Sequence, residues 1–199
     1  LTKVPKLDRL KLIETQVTGA GLRNLKQVMF LHLNNTEFND AGLERLKGLT
    51  NLRWLYLDNT KVTDAGLKHL NGLPLLIDLG LSSTKVTGTG LKVLKPLKYL
   101  NLTDAMVTDA GLEHLKGLTE LDTVRLARTT ITDAGLLHLK GLTKLRSIDL
   151  ARTKITDAGL LHLSGLTGLR QLTLGRSTKI TDAGCRKLQK ALPNCNIWR

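Results

Sequence analysis

Five residues, Thr-Asp-Ala-Gly-Leu, recur at Thr63–Leu67, Thr108–Leu112, Thr132–Leu136 and Thr156–Leu160. Variants stand in register at Thr18–Leu22, Asn39–Leu43, Thr87–Leu91 and Thr181–Cys185. A chain of copied units cannot build one central core, because each short unit buries its apolar face only against its neighbours. The glycines of the unit, from Gly21 through Gly42, Gly66, Gly90, Gly111, Gly135 and Gly159 to Gly184, advance in steps of 21, 24, 24, 21, 24, 24 and 25. The short steps lack three residues that read Gly48-Leu49-Thr50 in a longer unit. Duplication of a three-repeat block explains the double 21-24-24 pattern most simply.

The unit from Leu46 to Leu67 shows how each copy folds. Leu55 and Leu57 alternate with period two, which predicts a short strand with one buried face. Equivalent pairs are Leu10/Leu12, Leu31/Leu33, Leu79/Leu81, Leu100/Leu102, Val124/Leu126, Ile148/Leu150 and Leu172/Leu174. Asp64 ahead of Ala65, Gly66, Leu67 and Leu70 predicts a short amphipathic helix, with the carboxylate as its cap. Gly72 is expected to close that helix in the left-handed conformation. Strand, turn, helix and turn then repeat, so the strands must run parallel along one side.

The pattern L-x-x-L-x-L-x-x-T-x-[VI]-T-D-A-G-L resembles the leucine-rich-repeat family over nearly the whole chain. Its Thr-Asp-Ala-Gly-Leu version is similar to bacterial, planctomycete-like repeat proteins and to the repeats of F-box substrate receptors. The resemblance implies an α/β leucine-rich-repeat solenoid, a horseshoe with a parallel β-sheet on its concave face and short α-helices on its convex face. About eight repeats of 21–25 residues would form a single domain over residues 1–199. Residues 182–199 read as a capping helix and a half strand. Leu1 aligns with the last helical leucine of a preceding repeat, so an uncapped N-terminal face and self-association through it are expected. Where the family usually carries Asn or Cys after the strand, this chain has Thr15, Thr36, Thr60, Thr84, Thr129, Thr153 and Thr178, with Ala105 breaking the column. A hydroxyl both donates and accepts, so these threonines are expected to serve the turn backbone.

Net charge is +13, which favours acidic partners and polyanions through long-range steering. Much of that charge is spread by the repeat itself. Lys47, Lys95, Lys116 and Lys140 fall near helix C-termini, while Lys61, Lys85, Lys154 and Lys179 fall in turns. Two cysteines make no disulfide framework. No apolar run reaches the ~20 residues of a membrane helix, and no signal peptide is visible; the compartment stays unassigned. No nucleophile elbow, phosphate loop or zinc-protease motif occurs, so no enzyme activity, cofactor or metal is expected. Asp40, Asp64, Asp109, Asp133, Asp157 and Asp182 form a row that helix capping explains. His69, His114, His138 and His162 form a convex column, which copying alone produces.

The residues flanking each buried strand leucine point away from the core. They read Arg9, Phe30, Trp54, Asp78, Tyr99, Thr123, Ser147, Gln171 and Lys11, His32, Tyr56, Gly80, Asn101, Arg125, Asp149, Thr173. Four of the six aromatic residues, Phe30, Trp54, Tyr56 and Tyr99, fall in these columns. Aromatics collected on a concave sheet are the usual makings of a binding hot spot. Arg128, Arg152 and Arg176 share one position in three consecutive repeats, with Arg125 and Arg146 nearby. The expected function is a non-enzymatic protein–protein interaction module. Its concave site comprises Phe30, His32, Trp54, Tyr56, Tyr99, Arg125, Arg128, Arg152 and Arg176, and it faces a protein partner with acidic groups. Two alternatives are the substrate-recruiting part of a larger ubiquitin-ligase-like enzyme and a surface for nucleic acid or another polyanion.

Overall fold

The structure is a computed structural model and describes residues 7–94, 97–175 and 179–199. Leu1, Lys95, Arg176 and Thr178 lie outside the described residues. The described residues form one sheet of nine three-residue strands in sequence order. These are β1 (Arg9–Lys11), β2 (Phe30–His32), β3 (Trp54–Tyr56), β4 (Asp78–Gly80), β5 (Tyr99–Asn101), β6 (Thr123–Arg125), β7 (Ser147–Asp149), β8 (Gln171–Thr173) and β9 (Asn196–Trp198). All neighbours pair in parallel. Their register is that of the repeat, so Phe30, Trp54, Asp78 and Tyr99 stand side by side, as do His32, Tyr56, Gly80 and Asn101.

The opposite side carries α1 (Asp40–Glu44), α2 (Asp64–Leu67), α3 (Asp109–Leu112), α4 (Asp133–Leu136), α5 (Asp157–Leu160) and the longer α6 (Asp182–Ala191). Between the two layers runs one continuous leucine core; Leu55, Leu57, Leu67, Leu79 and Leu81 have no exposed surface. Two units keep only a 3-10 turn, Leu22–Asn24 and Thr89–Val93. Both are 21-residue units, and both carry glycine, Gly19 and Gly88, where the others carry aspartate. The two glycines adopt φ of 96° and 108°, backbone that an aspartate would resist.

The helix caps differ from the sequence expectation. The N-cap is the residue before the aspartate: Asn39, Thr63, Thr108, Thr132, Thr156 and Thr181 each accept a hydrogen bond from the first turn. The aspartate is instead the first helical residue, and its carboxylate reaches the next repeat. Asp133 accepts the Thr156 amide at 2.8 Å and the Thr156 hydroxyl at 2.6 Å. Asp40, Asp109 and Asp157 hold Thr63, Thr132 and Thr181 in the same way. Asp64 accepts from the Thr87 amide and hydroxyl and from the Gly88 and Gly90 amides. The glycine of each motif makes room for this carboxylate. A Cβ at Gly66, Gly135, Gly159 or Gly184 would overlap the aspartate of the preceding repeat.

Gly72 is likewise not a left-handed stop: it ends the 3-10 turn Lys68–Gly72, outside the positive-φ residues. The threonine column does serve the turn backbone, though inside its own unit. Thr36, Thr60, Thr84, Thr129 and Thr153 each donate to the leucine carbonyl three residues back, at 2.6–2.7 Å. At Ala105 the backbone N–H takes that carbonyl, Leu102 O, at 3.1 Å. No helix among the described residues is long and apolar enough to cross a membrane.

Candidate functional site

Strands β2 and β3 hold their aromatic residues at a fixed pitch, because adjacent parallel strands lie ~4.8 Å apart. Phe30, His32 and Tyr56 accordingly meet as three edge-on rings. Phe30 and Tyr56 are 5.5 Å apart, His32 and Tyr56 5.3 Å, and Phe30 and His32 6.1 Å. Arg9 caps the Phe30 ring at 4.7 Å. Trp54 stands beside the triad without a ring contact, and with Asp8, Arg9, Met29, Phe30 and Tyr56 it lines an open cavity of about 430 Å³. All four side chains are half-buried.

Tyr99 does not join this cluster. Strand β4 separates them, presenting Asp78 and Gly80. Tyr99 instead packs under Arg125, whose guanidinium sits 5.2 Å from the ring centre. Arg128 and Arg152 are exposed one turn further along, in consecutive repeats, and Arg146 is paired elsewhere, with Asp122 at 3.4 Å. Arg176 lies outside the described residues. Among the described residues, no group of three His, Cys, Asp or Glu side chains could hold a metal ion.

Two carboxylates, Asp78 and Asp58, sit in the middle of the face. Tyr56 donates its hydroxyl to Asp78 Oδ2 at 2.9 Å, and Asp78 Oδ1 is buried without a hydrogen-bond partner. Asp58 accepts from the Ser82 amide at 2.7 Å and from Asn34 Nδ2 at 2.9 Å. Burial pushes both carboxyls above their ordinary range, and for Asp78 the nearby Asp58 adds to the rise. Burial and the bond to Asp78 raise the Tyr56 hydroxyl well above its usual value. Burial lowers His32, although Asp58 opposes it, which favours neutral imidazole among the rings. Gly80 matters here because a Cβ would come within 3.0 Å of Tyr56 Cδ1 and 2.9 Å of Asp58 Oδ1. The sequence signal was present: Asp78 and Gly80 interrupt the two aromatic columns at one rung.

The comparisons with known proteins agree with this architecture. Residues 141–164, one 24-residue unit, match the family described as Leucine Rich repeat. No curated protein sequence matches the chain. Among solved structures, internalin C2 from Listeria monocytogenes superposes with a TM-score of 0.77 at 27% identity. The match covers 96% of this chain and 79% of that one. The repeat, the open sheet of parallel strands and these two likenesses identify the chain as a leucine-rich-repeat solenoid.

Proposed function

We propose that this chain is a non-enzymatic protein–protein interaction module that receives its partner across the concave sheet. The carrying observation is Trp54. Its ring touches no other aromatic ring, its indole N–H makes no hydrogen bond within the described residues, and it borders the 430 Å³ cavity with Phe30 and Tyr56. A large amphipathic side chain with a free donor, set among half-buried rings, has the composition of a hot spot. Phe30 and Tyr56 form the apolar floor. His32 steadies the floor from the side, and Tyr99 with Arg125 borders it across Asp78 and Gly80. The curvature of the stacked repeats offers a partner one continuous surface.

Tyr56 is a poor residue for testing this reading, because its hydroxyl is the only donor to Asp78 among the described residues. Trp54 separates binding from folding. Trp54→Ala is expected to reduce capture of the partner by the immobilised chain at least tenfold, a loss of about 1.4 kcal/mol or more. Its melting temperature should change by no more than a few degrees. Equal capture by wild type and Trp54→Ala would place the contact surface elsewhere.

A further inference from the structure

Beside the concave sheet runs a ridge formed by the residue two places after each outer strand leucine. Glu14, Asn35, Asn59, Ser83, Asp104, Arg128 and Arg152 occupy it, all with φ between 53° and 59°. Left-handed backbone suits asparagine and other small polar residues, whose side chains bond locally. The rungs from Asn35 to Asp104 follow that rule and pair along the ridge, whereas Glu14, the first rung, is a longer side chain. Asn59 Nδ2 donates to Asn35 Oδ1 at 3.0 Å, and Ser83 Oγ donates to Asp104 Oδ2 at 3.3 Å.

Arg128 and Arg152 break the rule. Each is a long side chain in strained backbone, exposed, and the two like charges stand on adjacent rungs. Neither guanidinium has a carboxylate within ion-pair distance among the described residues. Beside them, Ala127 and Ala151 stand where earlier repeats carry Asn34, Asp58, Ser82 and Thr103, which leaves the approach to the guanidinium groups open. Repulsion and missing partners at adjacent rungs are both relieved by one event, the arrival of anionic groups. Paired arginine forks match carboxylate oxygens in two-point geometry.

The surrounding charge selects between anions. A phosphate backbone following the sheet would meet Asp58, Asp78, Asp104 and Asp149, all on or beside the concave face. A protein segment with carboxylates placed only beside Arg128 and Arg152 avoids them. We infer that Arg128 and Arg152 clamp a pair of carboxylates on an acidic segment of the protein partner. This rests on the concave-face reading and names the chemistry of its second contact.

A fluorescein-labelled hexaglutamate peptide, followed by anisotropy at about 50 mM salt, tests the clamp. The Arg128→Asn/Arg152→Asn double variant is expected to lose affinity at least tenfold. The same variant should melt about 2–5 °C higher, because asparagine fits the left-handed backbone. A role in holding the fold would move the melting temperature the other way. The charge-matched Lys92→Gln/Lys140→Gln variant, altered on the convex side, should bind within twofold of wild type. The clamp is overturned if wild type does not bind the peptide, if both double variants lose affinity equally, or if the arginine variant melts lower. Tighter binding of an oligothymidylate of equal charge, lost with the same arginines, overturns it in favour of a polyanion. Trp54→Ala should leave hexaglutamate affinity unchanged, so failure of the clamp and failure of the aromatic site are separate results.

Discussion

Gly111→Ala is expected to destabilise the chain by about 3 kcal/mol and lower its melting temperature by roughly 6–12 °C. A Cβ at Gly111 would overlap the Thr87 carbonyl oxygen, and it would lie 2.9 Å from Thr87 C and 3.1 Å from Gly88 Cα. Every one of these neighbours is backbone, so no side chain can rotate away. Repeats four and five must separate to admit one methyl group. Gly141→Ala is the control: a Cβ there meets nothing within 4 Å, and its φ is not positive. It should be neutral or stabilise by up to about 1 kcal/mol, since alanine restricts the unfolded chain. Thermal melts of the two variants measure both effects, and similar shifts would contradict the close approach of the repeats.

Asp64→Ala is expected to cost about as much, roughly 3 kcal/mol, by a different route. It removes the acceptor for four donors, the Thr87 amide and hydroxyl, the Gly88 amide and the Gly90 amide. Each donor left without a partner in a partly buried place costs about 1 kcal/mol or more. The effect should depend on pH. Burial alone would raise the Asp64 pKa, but the donors from Gly90, Thr87 and Gly88 together outweigh it, and the carboxyl ends below its ordinary range. A carboxyl with a depressed folded pKa stabilises the fold above its unfolded pKa and loses that contribution as pH falls through the folded value. The gap between wild type and Asp64→Ala should therefore be full at neutral pH and shrink below about pH 4. Denaturant melts across pH 2–7 check this, and a gap that widens in acid would refute the assignment.

Much of this architecture is legible in the sequence because strand and helix positions recur at fixed places within the unit. Leu55 and Leu57 locate a strand, and their neighbours Trp54 and Tyr56 must then face outward. The role of the repeated aspartate is not legible in that way. Its partner lies about one unit away, and periodicity reports a residue's place in its own copy rather than what the next copy brings against it. Within its own copy Asp64 looks like the cap, whereas Thr63 caps and Asp64 ties two repeats together. The clue was that Gly19 and Gly88 replace the aspartate only in the two shortened units. The candidate site divides similarly. The aromatic columns follow from alternation alone, but Tyr56 bonding to Asp78, and Tyr99 packing under Arg125 away from the other rings, depend on rotamers. Copies that agree build the stack, and copies that differ shape its concave face.

Amide hydrogen exchange of the chain, free and with its captured partner, tests the concave-face assignment most directly. Protection is expected at β2, β3 and β4 and on the turns bearing Arg128 and Arg152, with α3, α4 and α5 unchanged. Protection confined to those helices, with the strands exchanging as in the free chain, would contradict the account.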